Sequence, residues 1–430
     1  MRVLMFGWEF PPHITGGLGT ACYGMVKGLY KNDVKVTFVV PKAYNDEDTS
    51  SIKLVNASDV EIDVRNSMFL DQIDKFTYIQ VKSSLIPYIG PREYESYLEK
   101  LSSGNIQKES SIYNPKYEFS GKYGANLYDE VARYALVATE IAQTEDFDII
   151  HAHDWLTYSA GIAAKKASGK PLVVHTHATE FDRSGENVNS LVYNLEKNGM
   201  QAADKVIAVS NLTRNIIINK YGINPDKVVT VHNAVEPADN KNIEDVKKNV
   251  KEKVVTFLGR LTFQKGPEYF IDAAKLILEK DENVRFVMAG SGDLMEKLVD
   301  YVATLGISDK FHFTGFLKGG DVDKMFAMSD VFVMPSVSEP FGIVPLEAMN
   351  INLPVVISKQ SGVAEVLEHA LKVDFWDVNA IADSIYALLH YQPLINMYKE
   401  QGKIEVINLK WENASAKIKK VYSDVLTEKN

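Results

Sequence analysis

Short apolar runs rich in β-branched residues alternate with longer amphipathic stretches along most of this chain. The strand-like runs of the first half are residues 34–40, 148–151, 171–175 and 205–209. Stretches with helical periodicity lie between them, for example residues 127–143 and 156–166. Apolar runs separated by helical periods are typical of parallel sheets flanked by helices. The sequence therefore predicts an α/β fold.

The same alternation starts again after a polar stretch at residues 237–253. The strand-like runs of this second series are residues 254–258, 284–289, 331–334 and 354–357. A chain of 430 residues is also too long for a single hydrophobic core. We therefore expect two Rossmann-like parallel-sheet domains, each with its ligand-binding residues just after the strands.

Charge and composition exclude several classes of protein. The chain has 47 Lys and Arg against 57 Asp and Glu, which argues against a nucleic-acid binder. Cys22 is the only cysteine and can form no internal disulfide. No apolar run approaches the roughly 20 residues that span a bilayer, and no basic amphipathic cluster suggests firm membrane association. We expect a cytoplasmic protein.

The most specific motif is EPFGIVPLE, residues 339–347, which follows the strand-like run 331–334. The backbone N–H groups of Gly342, Ile343 and Val344 would lie at a helix start. Such groups bind phosphate readily. The motif therefore predicts an anion site.

Two carboxylates, Glu339 and Glu347, flank this anion site. They would repel a phosphate, so they are better suited to accept hydrogen bonds from sugar hydroxyls. Taken singly, Glu339 could be an ordinary loop carboxylate and Glu347 a solvated helix residue. The pair with the intervening loop favours ligand binding.

Two cations, Arg260 and Lys265, lie in the loop GRLTFQKG at residues 259–266, directly after the first strand-like run of the second series. Arginine offers a fork of donors and lysine a point charge, so together they can neutralise a diphosphate without a metal. The alternative is a pair of surface cations.

Two glycine-rich loops also follow strand-like runs. Gly16 and Gly17 would let a ligand approach the start of the next helix, or would form a tight turn. Gly290 could approach a base or phosphate, or belong to a turn. The first loop does not fit the dinucleotide fingerprint, and the chain has no P-loop, so we expect no cofactor.

Four of the nine histidines form two pairs, His151 with His153 and His175 with His177. Both pairs end strand-like runs, so they should converge on the ligand crevice. Their spacing is not the helical H-x-x-x-H of zinc sites, and no cysteine is close in sequence, so we expect no metal. A sugar-contacting or catalytic role and a structural role both stay open.

Together, these motifs resemble the retaining glycosyltransferases of the GT-B fold, particularly the class shared by starch and glycogen synthases and the family-four enzymes. The resemblance covers nearly the whole chain. It implies two domains that face each other across a cleft. Residues 1–236 with 410–430 would form the acceptor domain and its C-terminal crossover helix, and residues 237–409 the nucleotide-sugar donor domain.

The resemblance also implies roles for individual residues. Arg260 and Lys265 would hold the diphosphate, Glu347 the ribose and Glu339 the donor hexose. His177 would lie beside the anomeric carbon, and Asp154 would help arrange the sugar pocket. The residues implied in catalysis are His177, Asp154, Arg260, Lys265 and Glu339. The residues implied in donor binding are Gly16, Gly17, Arg260, Lys265, Gly290, Glu339, Gly342, Ile343, Val344 and Glu347.

The activity that this resemblance implies is metal-independent transfer of a hexose, glucose in the first instance, from ADP-glucose or UDP-glucose to an α-glucan. Ile14 stands where starch and glycogen synthases usually carry a lysine, so the donor nucleotide stays open. A family-four enzyme acting on another small carbohydrate or cell-envelope acceptor is the alternative. A nucleotide-sugar epimerase is a further one.

An aromatic-rich segment at residues 86–128 favours a glucan acceptor, because aromatic faces stack on sugars. The same residues could instead form a satellite core. The segment includes Tyr94, Tyr97, Tyr113, Tyr117 and Phe119.

Overall fold

The computed structural model describes residues 1–14, 16–61, 116–124, 126–237, 246, 248 and 250–428. These residues form two compact units. Unit 1 is drawn from Met1–Val209, Thr213–Val231 and Trp411–Asn430, and unit 2 from Ser210–Leu212 and His232–Lys410.

The described strands all belong to two sheets, and the helices flank them. The strands are β1 (Arg2–Phe6), β2 (Lys35–Val40), β3 (Lys53–Asn56), β4 (Ile149–His153), β5 (Leu172–Thr176), β6 (Lys205–Ala208), β7 (Val228–Thr230), β8 (Lys253–Leu258), β9 (Val284–Ala289), β10 (Phe311–Gly315), β11 (Val331–Met334), β12 (Val355–Ser358) and β13 (Leu371–Val373). The helices are α1 (Gly17–Lys31), α2 (Leu127–Thr144), α3 (Asp154–Ser168), α4 (Glu180–Ser184), α5 (Ser190–Ala202), α6 (Asn211–Tyr221), α7 (Pro267–Leu278), α8 (Met295–Thr304), α9 (Gly320–Met328), α10 (Val344–Asn350), α11 (Val378–His390), α12 (Gln392–Asn408) and α13 (Trp411–Glu428).

Unit 1 is built on a seven-stranded parallel sheet with the order β3-β2-β1-β4-β5-β6-β7. The order reverses between β1 and β4. In open α/β sheets, ligands bind at the carboxyl ends of the strands beside such a reversal. The loops after β1 and β4 are therefore the ones placed to bind a ligand.

A large apolar cluster of unit 1 lies on one face of this sheet. Ile150 and Ala152 of β4 are buried there among side chains of α2, α3 and α5. Because side chains alternate along a strand, His151 and His153 face the other side. Tyr422 of α13 covers that side, where its hydroxyl is hydrogen-bonded to Nδ1 of His151.

The last helix, α13, packs directly on the first helix, α1. A Cβ atom at Gly24 would lie 2.1 Å from the indole nitrogen of Trp411, and one at Gly28 would lie 2.5 Å from the Trp411 carbonyl oxygen. The hydroxyl of Ser415 donates to the carbonyl oxygen of Met25 at 2.9 Å. Glycines on α1 thus allow the close approach that makes α13 part of unit 1.

Unit 2 repeats this plan with a six-stranded parallel sheet in the order β10-β9-β8-β11-β12-β13. Its order reverses between β8 and β11, so the loops after these two strands are placed to bind a ligand. Phe257, Phe270 and Phe286 pack together in its core. The prediction of an α/β protein with two Rossmann-like parallel sheets is confirmed.

Candidate functional site

In unit 2 the predicted cations and one predicted carboxylate come together at the sheet reversal. Arg260 and Lys265 follow β8, and Glu339 follows β11, which pairs directly with β8. The carbonyl oxygen of Gln264 accepts a hydrogen bond from the backbone N–H of Val337 at 2.9 Å. The two loops are therefore tied to each other by their backbones.

Lys265 and Glu339 form an ion pair between their side chains. The Lys265 side chain is 20% exposed and that of Glu339 is 9% exposed. The backbone also fixes Glu339, because its N–H donates to the carbonyl oxygen of Gln360 at 3.0 Å and its carbonyl oxygen accepts from Gly362 at 2.9 Å. A mostly buried cation and a carboxylate are thus held side by side.

The loop that carries exposed Arg260 is packed against Gly290, the residue that follows β9. Gly290 has a φ of 137°, and a Cβ atom there would lie 1.8 Å from the carbonyl oxygen of Gly259. No side chain fits that space, and L-residues rarely adopt this φ. The structure therefore gives Gly290 a packing role in shaping the Arg260 loop, and its direct contact with a ligand stays a prediction.

The predicted anion loop lies before α10. Gly342 has a φ of 96°, Ile343 precedes the helix, and Val344 is its first residue. Partly exposed Glu347 lies in the first turn. Burial, with a smaller contribution from the negative charge of Asp323, raises the pKa of Glu347 to about 7.

In unit 1 the four histidines of the two pairs form one cluster. The strand register places His153 beside His175. The ring centroids of His151 and His153 are 4.4 Å apart, and those of His175 and His177 are 4.3 Å apart. The rings within each pair are thus stacked, and the pairs lie at the carboxyl ends of β4 and β5, where the sequence placed them.

His177 is fixed by its two neighbours on β4 and α3. Its Nε2 atom is hydrogen-bonded to Nδ1 of His153 at 3.0 Å, and its backbone N–H donates to Oδ1 of Asp154 at 2.7 Å. Asp154 has a φ of 55°, a conformation that costs energy in a non-glycine residue and often marks functional positions. Asp154 therefore holds the backbone of the segment that carries His177.

Burial sets the protonation of this cluster. Burial lowers the pKa of His177 to about 3. It raises the pKa of Asp154 to about 7, although the hydrogen bond from the backbone N–H of His177 partly opposes this rise. His177 is therefore a neutral imidazole near neutral pH. It can donate or accept a hydrogen bond there but carries no positive charge.

Gly16 and Gly17 are exposed at the start of α1. A Cβ atom at either position would meet no atom within 4 Å, so packing among the described residues does not demand glycine. Contact between these glycines and a ligand stays a prediction.

Sequence reasoning missed two residues of the histidine cluster, Cys22 of α1 and Tyr422 of α13. Both are buried and lie far from the histidines in sequence. Only the packing of α1 and α13 on the sheet brings them there.

The aromatic segment divides into two parts. Tyr94, Tyr97 and Tyr113 lie outside the described residues. Tyr117 and Phe119 are buried in the core of unit 1, where their rings contact each other edge to face. For these two residues, the alternative of a packed core is the one the structure shows.

Among the described helices, none is long and apolar enough to cross a membrane.

Known proteins resemble this chain in sequence and in fold. Residues 238–405 match the family "Glycosyl transferases group 1", and residues 104–239 match "Glycosyltransferase Family 4". An uncharacterised glycosyltransferase of Methanocaldococcus jannaschii is 30% identical over 90% of this chain and 87% of its own length. The UDP-Gal:alpha-D-GlcNAc-diphosphoundecaprenol alpha-1,3-galactosyltransferase of Escherichia coli is 29% identical over 67% of this chain and 79% of its own.

Among solved structures, the sucrose-phosphate synthase of Thermosynechococcus elongatus has a TM-score of 0.72 at 16% identity and covers 99% of both chains. The two parallel-sheet units, with polar groups at each sheet reversal, have the GT-B architecture of sugar-transferring enzymes. The chain belongs to the glycosyltransferases of this fold, in the group 1 and family 4 families.

Proposed function

We propose that the protein is a retaining hexosyltransferase that moves glucose from UDP-glucose or ADP-glucose to an α-glucan. The observation that carries this proposal is the pairing of Lys265 with Glu339 beside Arg260 at the sheet reversal of unit 2. This arrangement offers cations for a diphosphate and a carboxylate for sugar hydroxyls within one small region.

The cations suit the chemistry of the leaving group. Breaking the bond between the sugar and the phosphate leaves negative charge on the diphosphate, and fixed cations stabilise that charge, most strongly where they are shielded from water as Lys265 is. Arg260 and Lys265 would do this without a metal ion. We assign the ribose to Glu347, and the backbone of Gly342 and its two successors to the phosphates.

Glu339 receives a second role in this scheme. Its carboxylate would accept hydrogen bonds from the donor hexose while it keeps Lys265 in place. Because the carboxylate is mostly buried, such bonds are stronger than they would be in water.

In unit 1 we assign sugar contact to His177 and the fixing of its backbone to Asp154. A neutral imidazole suits hydrogen bonding to a hydroxyl group. Gly16 and Gly17 would leave room for the donor. The acceptor would attack on the side from which the diphosphate departs, with retention of configuration at the anomeric carbon.

A second candidate function is transfer to a cell-envelope carbohydrate. The name of the Escherichia coli relative, which specifies a lipid-linked GlcNAc acceptor, favours it. This candidate would use the same donor site with a different acceptor, and the donor named for that relative is UDP-galactose.

A product assay would test both candidates. UDP-glucose, ADP-glucose and UDP-galactose are each incubated with glycogen, with maltooligosaccharides, with a lipid-linked GlcNAc acceptor and with no acceptor. We expect glucose to be transferred to the glucan, with an α linkage by NMR and with full activity in EDTA. An inverted linkage, or loss of activity in EDTA that Mn²⁺ restores, would contradict the mechanism. An epimer formed from donor alone would support an epimerase instead.

A further inference from the structure

Cys22 plays no part in the proposed transfer, yet it lies beside two of the clustered histidines. It belongs to α1 and is 1% exposed. Its Sγ atom and one ring nitrogen from each of His153 and His177 all lie within 4.8 Å of one another. A thiol and two imidazoles from three separate segments thus converge on one point.

The spacing of these atoms is close to that of a metal site. Zinc binds histidine nitrogen at about 2.0 to 2.1 Å and cysteine sulfur at about 2.3 Å. Tetrahedral geometry then separates two nitrogens by about 3.4 Å and a sulfur from a nitrogen by about 3.6 Å. The hydrogen-bonded nitrogens of His153 and His177 are already 3.0 Å apart. The sulfur would move by up to about 1.3 Å, and the two nitrogens would separate by about 0.4 Å more.

The surroundings of the thiol suit a cation. Negative charges on Asp154 and Glu9 reinforce the effect of burial in raising the pKa of Cys22. Both carboxylates are themselves more than nine-tenths buried. Among the described residues, the Nε2 atom of His153 is buried and has no hydrogen-bond partner. The nearby acidic groups favour a positive ligand, and Nε2 of His153 can take the proton that Nδ1 gives up when the metal binds.

A second group of three histidines fits a metal less well. Ring nitrogens of His151, His153 and His175 also lie within 4.8 Å of one another. However, the rings of His151 and His153 are stacked with an angle of 28° between their planes. Lone pairs lie in the ring planes, so those of stacked rings run side by side and do not meet at one ion. This group therefore serves as a control.

We propose that Cys22, His153 and His177 form a binding site for a thiophilic divalent metal ion, and that Zn²⁺ fits it best. Sulfur and imidazole ligands select zinc over magnesium or calcium, which prefer oxygen. When the metal binds, it replaces the thiol proton, which passes to solvent. It also replaces the hydrogen bond between the two imidazoles. The proton of that bond moves to the other nitrogen of its own ring, so one proton is released for each ion.

Metal at this site would inhibit transfer. The ion occupies a ring nitrogen of His177 and fixes its imidazole, the group assigned to contact the donor sugar. This consequence rests on the proposed function, whereas the binding of the metal does not. The ion would be an inhibitor and no cofactor.

Binding is measured with Co²⁺ and Zn²⁺ on the full chain without a histidine tag. We expect one Co²⁺ per chain with a thiolate charge-transfer band in the near ultraviolet, which Zn²⁺ displaces. Cys22→Ala should lose the band and weaken Zn²⁺ binding at least about 100-fold. Loss of a residue that only orients a metal ligand already weakens metal affinity by up to about 100-fold, and Cys22 would be a ligand itself. His151→Asn, on the same strand face, should retain both. An unchanged affinity in Cys22→Ala would overturn the proposal.

Two further measurements guard against a misfolded variant. Cys22→Ser nearly preserves the volume and should lose the band as Cys22→Ala does. In the wild-type protein, calorimetry in buffers of different ionisation enthalpy should give one proton released per Zn²⁺. Release of none would contradict thiolate binding whatever the variants do.

Inhibition is tested separately. In wild type, Zn²⁺ should abolish transfer and a chelator should restore it. Adding Zn²⁺ to the Cys22→Ala variant should change its rate of transfer little. If Zn²⁺ binds through Cys22 but transfer continues, the metal site stands and the sugar-contacting role of His177 is wrong.

Discussion

Replacement of Lys265 by alanine should separate the catalytic and structural roles of its ion pair. The side chain is mostly buried beside Glu339, so Lys265→Ala removes a cation and leaves a carboxylate without its partner. Breaking a buried pair costs about 3 kcal/mol or more. For a unit of this size, that corresponds to a fall of about 6 to 12 °C in Tm.

The same change should slow transfer. Removing one fixed group that stabilises charge in the transition state costs about 100-fold to 1000-fold in kcat. We expect kcat to fall by at least that lower figure and donor KM to rise much less, because the charge on the diphosphate grows only as the bond breaks.

The double variant Lys265→Ala, Glu339→Gln distinguishes the two effects. Glutamine removes the unpaired charge, so most of the lost Tm should return. Transfer should stay low, because the cation is still missing and the carboxylate assigned to the hexose is gone as well. Lys275→Ala, which breaks a surface pair with Glu279 in the same unit, controls for the loss of any lysine and should change neither quantity much.

The measurements are calorimetric melting and initial rates at saturating donor, taken well below the Tm of each variant. A kcat for Lys265→Ala within about threefold of wild type would refute the leaving-group role. Recovery of kcat in the double variant would show that the defect came from the unpaired carboxylate.

Three further predictions concern unit 2. Glu339→Gln should weaken transfer while nucleoside diphosphate still binds nearly normally. Glu347→Ala should weaken both transfer and nucleotide binding. An equal loss of nucleotide affinity in the two variants, measured by calorimetry, would reject the assignment of the hexose to Glu339 and the ribose to Glu347. The pKa of Glu347 is about 7, and ribose hydroxyls donate best to the ionised form, so nucleotide affinity should rise between about pH 6 and 8. Glu347→Gln should lose that dependence, and an equal slope would assign it to another group. Gly290→Ala should lower the stability of unit 2 by several kcal/mol, because its Cβ atom would overlap the Gly259 carbonyl. Gly306→Ala is the control, because Gly306 has a φ of 69° and no atom near its Cβ position, and it should cost about 1 kcal/mol. Denaturant titration measures both changes.

Much of the fold was predictable because buried parallel strands have an unusually plain sequence pattern. Strands covered on both faces read as continuous apolar runs, and the helices between them keep their own period. The runs at 254–258 and 331–334 both became strands of the second sheet. The polar loops after them could therefore be singled out before their partners were known.

The contacts within each site were not predictable in the same way. Lys265 and Glu339 are 74 residues apart and meet because β8 pairs with β11, a strand order that no local pattern encodes. Cys22 reaches His153 only because α1 covers the face of the sheet to which His153 points. The sequence shows correctly that no cysteine is close to the histidines along the chain, but it does not show that Cys22 meets them in space.

The position of α13 has a consequence for how the protein is made. Unit 1 contains residues that are synthesised before unit 2, but it also includes α13, which is synthesised after all of unit 2. Until then, α1 and the histidine face of the first sheet lack the helix that covers them. Domains generally fold as they emerge, so unit 2 can finish folding before the unit that precedes it. Proteolytic removal of α13 should accordingly unfold unit 1 before unit 2.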